Sequence, residues 1–445
     1  MLRRVLLVSL LLALPATAGE IEHVVVVSVD GLRPTYYLEP DRYGLKIPTL
    51  RRLLAEGAYA RGMRSVFPTV TYPAHTSMVT GVSPARHGIF LNSAADPQMR
   101  FGLRWYVEDV QAKTLYQAAE EKGLRTALVY WPATLGAQVD AVFPEFWRGD
   151  RDDHQLLKAI STPGLVEGVE QRFPDFQFHS PAEDEVLTDV AVHIIHSLRP
   201  HLLFLHIFQV DHQQHAFGPA SPEALAAVEE ADRQLGRLVA ALEEAGLWEQ
   251  TALFVVSDHG FAPVENVLKP GVLLRRAGLL EVNDRGQITE WRAAPVCGGA
   301  TCEILLKDPN DAQTRREVLA IFSPLAEDPA SGLSRLYSPE ETAELSPDLG
   351  AFLILEAAPP FALSARVTGE FVEAYRGKAT HGFDPERPDM LASFLVAGPA
   401  VKHRRLERVS LLDLAPTIAY LLELDMPEME GRALRELFEL TAAPP

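Results

Sequence analysis

Three aspartates and three histidines fall into short Asp/His groupings along the 445-residue chain. Asp211-His212-Gln213-Gln214-His215 sets a carboxylate and an imidazole four residues apart, so on a helix both face one side. Ser257-Asp258-His259-Gly260 follows an apolar run, Thr380-His381-Gly382 places a third imidazole before a glycine, and Asp30-Gly31 closes another apolar run. Each grouping alone is compatible with a hydrogen-bonded turn. As a set, Asp30, Asp211, Asp258, His215, His259 and His381 supply the mixed oxygen and nitrogen donors that zinc takes, whereas calcium and magnesium prefer oxygen throughout. With one hydroxyl added, seven ligands suit two zinc ions. The hydroxyl candidate is Thr71, in Phe67-Pro68-Thr69-Val70-Thr71-Tyr72-Pro73-Ala74-His75. Pro73 suits the first turn of a helix and Thr71 its N-cap, where the helix dipole favours an alkoxide. A neighbouring zinc lowers the pKa of such a hydroxyl much further.

These residues need a scaffold that brings distant segments together. Apolar runs at 24–29, 126–130, 202–210, 253–256 and 390–396 read as buried parallel strands. Between them, 49–56, 112–122, 185–198 and 223–245 carry apolar residues at helical spacing, and a last helix is expected near 411–422. This alternation predicts an α/β fold, a mostly parallel central sheet with helices on both faces. Asp30, Asp211 and Asp258 then lie at or near carboxyl ends of strands, where open α/β sheets form their ligand sites. From 261 to 375 the signals weaken and the loops lengthen. The expected organisation is therefore a catalytic core over 19–260, an inserted subdomain over 261–375, and the end of the core over 376–445.

The motifs resemble the type I phosphodiesterase/nucleotide pyrophosphatase branch of the alkaline phosphatase superfamily. The matching stretches begin with Val27-Ser28-Val29-Asp30-Gly31, Pro68 to His75, and Thr80-Gly81-Val82-Ser83-Pro84-Ala85-Arg86-His87-Gly88-Ile89. They continue through Asp211 to Gly218, Ser257-Asp258-His259-Gly260, Thr380-His381-Gly382 and Asp413-Leu414-Ala415-Pro416-Thr417, in the family's order. The resemblance implies an alkaline-phosphatase-like core. It implies one zinc held by Asp30, Thr71, Asp258 and His259, and a second held by Asp211, His215 and His381. It implies that Thr71 attacks phosphorus in line to give a phospho-threonine that water hydrolyses, with Asn92 as side-chain donor to a phosphoryl oxygen. It also implies two aromatic faces for a nucleotide base. Tyr72 fits one, and His206 occupies the second position, a weaker stacking surface than tyrosine. The family's Trp-Pro-Gly-Ser loop is matched only in part, by Trp131-Pro132-Ala133-Thr134. His75 and His87 read as packing residues and His212 as peripheral.

The expected activity is hydrolysis of phosphodiesters or nucleotide pyrophosphates. No Lys/Arg pair suited to a phosphomonoester stands out near Thr71 or Asn92, which places an alkaline-phosphatase-like monoesterase second. A non-catalytic zinc-stabilised binding protein is the alternative of another class. The formal charge of −19 disfavours a nucleic-acid duplex as partner but admits a small phosphorylated substrate, a nucleotide among them. Arg3-Arg4, the apolar run 5–14 and Ala16-Thr17-Ala18 read as a signal peptide over 1–18, hence export to a periplasm or the exterior without stable membrane insertion after cleavage. An oxidising compartment favours a disulfide between Cys297 and Cys302, the only cysteines; two free thiols are the alternative.

Overall fold

A computed structural model describes residues 21–98, 100–148, 153–179 and 182–439. The expected signal peptide lies outside them. The central sheet has eight strands. In chain order they are β1 (His23–Val29), β2 (Ala58–Ala60), β3 (Thr126–Val129), β4 (Ala141–Phe143), β5 (Leu202–Ile207), β6 (Thr251–Val256), β7 (Phe394–Ala397) and β8 (Arg404–Leu406). Their spatial order is β8-β2-β7-β6-β1-β5-β3-β4. β7 runs antiparallel to both neighbours, and every other pairing in the sheet is parallel.

The central strands are apolar on both sides because both faces are covered. Along β1, Val25, Val27 and Val29 enter one apolar cluster while Val24 and Val26 enter another, and β5 and β6 alternate in the same way. Full burial of each such side chain contributes about 1.5–3 kcal/mol. Helices α2 (Asp184–Ser197) and α4 (Pro222–Glu244) cover the first face. Helices α1 (Thr71–Thr80) and α5 (Leu414–Leu421) cover the second.

Two strand expectations are corrected. The run 390–396 is not a parallel strand: Pro388–Met390 is a 3-10 turn, and β7 starts at Phe394 and runs against the sheet. An apolar run looks the same in either direction, so its polarity is set only where the chain re-enters the sheet. The run 202–210 ends as a strand at Ile207, because helix α3 (Gln209–Phe217) begins there. Asp184 Oδ1 accepts the amide hydrogens of Phe208 and Gln209 at 3.0 and 3.2 Å and fixes that start.

Between β6 and β7 the chain is more regular than its sequence pattern suggests. Ala293–Gly298, Thr301–Leu306, Ala351–Ala357 and Leu333–Tyr337 form an antiparallel sheet with its own apolar cluster, flanked by the helix Ala312–Glu327. Cys297 and Cys302 are register partners in its first hairpin and are joined by a disulfide.

Candidate metal centre and nucleophile

Strands β5, β1 and β6 are adjacent, and this alone brings three distant acids together. Asp30 follows β1, Asp258 lies two residues past β6, and Asp211 sits in the first turn of α3, just beyond β5. His215 is one turn further along α3. His259 Nε2 lies 3.1 Å from Asp258 Oδ2 and 3.4 Å from Asp30 Oδ1. His215 Nε2 and His381 Nε2 lie 3.5 and 3.8 Å from Asp211 Oδ1. Ligand atoms of Asp211, His215 and His381 all fall within 4.8 Å of one another, as do those of Asp30, Asp211 and His259. Asp211 therefore belongs to both groups. The His259 and His381 rings stack at 3.6 Å between centroids.

The orientation of each donor fits a cation. His215, His259 and His381 place Nδ1 at 3.0, 3.1 and 2.8 Å from the carbonyls of Ala379, Gly260 and Thr69. A carbonyl only accepts, so Nδ1 carries the hydrogen and Nε2 keeps its lone pair for a metal. Asp258 Oδ1 accepts the amide hydrogens of Gly31 and His259 at 3.1 and 3.0 Å, which leaves Oδ2 turned inward. Asp30 Oδ1, Asp211 Oδ1, Asp258 Oδ2 and His259 Nε2 are buried and have no hydrogen-bond partner. Four such atoms facing one another carry a desolvation penalty that a bound cation removes. In their mutual company, burial first and then the Asp258 and Asp211 charges push Asp30 well up. Burial raises Asp211 to about 6, against the pull of His215. Burial lowers His259 and His381, keeping them neutral and able to ligate.

Thr71 opens α1 at the edge of this pocket. It is the first helical residue; the N-cap is Val70, in extended conformation, so the expected N-cap position is corrected by one residue. The chemistry is little altered, because a first-turn amide has no partner within the helix and points its N–H outward. Asn92 comes from the loop after α1. Its Oδ1 accepts the Tyr72 amide hydrogen at 2.8 Å, so its two Nδ2 hydrogens are turned elsewhere.

The family model for type I phosphodiesterase/nucleotide pyrophosphatase matches residues 24–384. The chain belongs to this family. Human ectonucleotide pyrophosphatase/phosphodiesterase family member 1 is 28% identical over 243 residues, covering 52% of this chain and 23% of the relative. Venom phosphodiesterase 2 of Crotalus adamanteus is 25% identical over 251 residues, covering 54% of this chain and 27% of the relative. The match thus spans about a quarter of those curated relatives. Murine ectonucleotide pyrophosphatase/phosphodiesterase 5, in an inactive form with AMP, shares the fold with a TM-score of 0.67 at 21% identity, covering 94% of this chain and all of the other. Human ectonucleotide pyrophosphatase/phosphodiesterase 5 shares the fold with the same TM-score of 0.67 at 21% identity, covering 94% of this chain and all of the other.

In this type I phosphodiesterase/nucleotide pyrophosphatase chain, a cavity of about 330 Å³ opens beside the donors. Asp30, Thr71, Asn92 and Asp211 are among its lining residues, and Tyr72, Tyr130, Trp147 and Phe208 supply aromatic wall. His206 lines it too, but is buried in β5 with Nε2 3.2 Å from Asp30 Oδ2 and Nδ1 3.2 Å from the Tyr130 carbonyl. Tyr72 is buried, its ring edge-on to Trp105. His75 donates through Nδ1 to the Thr71 carbonyl at 2.8 Å and lies 3.7 Å from Asp258, against Trp131 of the partly matched loop. His87 pairs with Ser77, and His212 is exposed at the cavity rim.

Glu145 was not singled out by its sequence. It is only 7% exposed on the cavity wall; burial raises it to about 7, while contacts with Trp147 and Tyr72 pull the other way. Tyr130, Glu145 and Phe208 all follow carboxyl ends of β3, β4 and β5. The strand Ala141–Phe143 is too short to stand out as an apolar run, and the expected strands 126–130 and 202–210 run over Tyr130 and Phe208, so the strand-end rule had no place to find them.

Proposed function

We propose that this protein is a two-zinc phosphodiesterase or nucleotide pyrophosphatase that uses Thr71 as nucleophile. The observation that carries the reading is the set of four buried, partnerless donor atoms on Asp30, Asp211, Asp258 and His259, beside a hydroxyl at a helix start. Asp30, Asp258, His259 and Thr71 would hold one ion, and Asp211, His215 and His381 the other. When bound, the metal pair supplies Lewis acidity that lowers the pKa of a ligated hydroxyl and takes up negative charge on phosphoryl and leaving-group oxygens.

The chain's own residues do the rest. Thr71 Oγ1 forms a bond to phosphorus in line with the ester oxygen that departs. The resulting phospho-threonine is then hydrolysed by water, restoring Thr71. Asn92 Nδ2 and the Thr71 amide hydrogen would donate to the phosphoryl oxygens, where one such donor is worth about 3 kcal/mol. His75 holds the Thr71 carbonyl, and with it the start of α1.

The cavity supports a diester or pyrophosphate substrate over a monoester. Among the described residues that line it, none is Lys or Arg, and a buried glutamate forms part of the wall. Its aromatic wall fits an organic group such as a nucleotide base, and a murine family member has been captured with AMP. Export to a periplasm or the exterior accords with relatives named as ectoenzymes and venom enzymes. The antiparallel sheet and separate apolar cluster support residues 261–375 as a subdomain inserted into a core of 19–260 and 376–445.

Hydrolysis of bis-p-nitrophenyl phosphate and p-nitrophenyl phosphate by wild type and Thr71→Ala tests the reading. The diester should be the faster substrate, and the variant should lose on the order of 10³-fold or more in kcat. Comparable turnover by the variant would remove Thr71 as nucleophile.

A further inference from the structure

The segment Cys297-Gly298-Gly299-Ala300-Thr301-Cys302 lies in the stretch between β6 and β7, far in sequence from Asp30, Asp211 and Asp258. As a sequence it promises only a local staple, since so short a loop removes little freedom from the unfolded chain. In the fold it touches the site at several points. The Ala300 amide donates to the His381 carbonyl at 2.9 Å, and Thr301 Oγ1 donates to the Gly382 carbonyl at 2.6 Å. Gly299, at φ +62°, comes so close that a Cβ there would sit 2.2 Å from the His381 carbonyl oxygen. A Cβ on Gly298 would stand 3.1 Å from Leu91 and 3.8 Å from Val70. Val70 and Leu91 share an apolar cluster with Val296, Leu305 and Ile354 of the same antiparallel sheet.

These contacts converge on the working residues. Val70 immediately precedes Thr71, Leu91 immediately precedes Asn92, and His381 is a metal donor in the reading above. His381 is held at two points: its ring by the Thr69 carbonyl, and its main chain by the turn. We propose that the disulfide-closed turn Cys297–Cys302 is a positioning element that sets His381 for metal binding. The inference rests on the two-zinc reading and adds a specific claim to it. The disulfide acts on the His381 half of the centre, while the half built from Asp30, Asp258 and His259 is held by strand ends and by the Gly31 and His259 amides.

The test is zinc binding by the whole protein, using competition with a chromogenic chelator, stoichiometry by atomic emission, and thermal melting by circular dichroism. The proteins are wild type, the double variant Cys297→Ser/Cys302→Ser, and Gly299→Ala. In Gly299→Ala the disulfide stays while the added methyl displaces the His381 main chain. Both variants should bind one of two zinc ions about tenfold or more weakly, the usual effect of disturbing a metal ligand's support, with the other ion unchanged. Should the double variant fail to fold, Gly299→Ala alone carries the test. Wild-type affinity for both ions in the variants overturns the proposal, whatever the melting temperature does. So does loss of both ions in step with melting, because that is what a general staple predicts. A wild type that takes up no zinc pair would instead overturn the two-zinc reading itself.

Discussion

His206 Nε2 lies 3.2 Å from Asp30 Oδ2, while its Nδ1 faces the Tyr130 carbonyl. The carbonyl claims the Nδ1 hydrogen, so the His206–Asp30 contact must share one further proton. Burial raises Asp30 and lowers His206 to about 4, which puts that proton on the aspartate when no cation is near. The histidine thus orients Asp30, a candidate metal ligand, leaving Oδ1 turned to the pocket. His206→Phe keeps a ring and loses the contact. Zinc affinity should fall about tenfold or more, with little change in KM for p-nitrophenyl thymidylate. Unchanged zinc affinity with a raised KM would make His206 a stacking surface instead.

Asn92 has two separable duties. Its Oδ1 holds the Tyr72 amide, and its Nδ2 is free to donate. Asn92→Asp keeps the acceptor and removes the donor, and Asn92→Ala removes both. Each should lower kcat by about 10²–10³-fold. The aspartate variant should keep the wild-type melting temperature and the alanine variant should lose part of it. Equal melting of both variants below wild type would show that the Oδ1 contact contributes nothing particular.

Metal and pH should act with opposite signs on stability. Asp211 is raised from 3.8 to about 6, so its protonated form is the one the metal-free fold favours. That stability is fully present below pH 3.8 and is lost as pH rises through about 6. Zinc needs the ionised carboxylate, so its binding strengthens over the same interval. The gap in melting temperature between zinc-loaded and chelator-treated protein should widen from about pH 5 to about pH 8, and activity should rise alongside it. A constant gap would exclude Asp211 as a ligand.

Asp184 supports α3 from a distance. Burial raises it to about 7, against the two amide hydrogens it accepts. Asp184→Asn keeps an acceptor in place and removes the buried charge. The loss of stability that Asp184 brings as pH rises from 3.8 through about 7 should then disappear. Asp184→Ala leaves the Phe208 and Gln209 amides without their partner and should cost about 1–3 kcal/mol in urea unfolding. Equal stability of the two variants at neutral pH would remove the capping role.

Residue chemistry and periodicity carried much of this protein openly. The Asp/His groupings marked candidate cation ligands, the Thr71 segment announced a helix start, and the alternation of apolar runs with amphipathic stretches announced the α/β sheet. These are local properties, written in residue types a few positions apart. What only the tertiary structure decided was adjacency and direction. That β5, β1 and β6 are neighbours, that β7 runs backwards, and that Asp211 belongs to both donor groups depend on how distant segments pair. Glu145 at the cavity wall and the Cys297–Cys302 turn against His381 gain their meaning in the same way. Such contacts join residues far apart along the chain, and no local pattern records them, because the free energy that selects them is that of the packed whole.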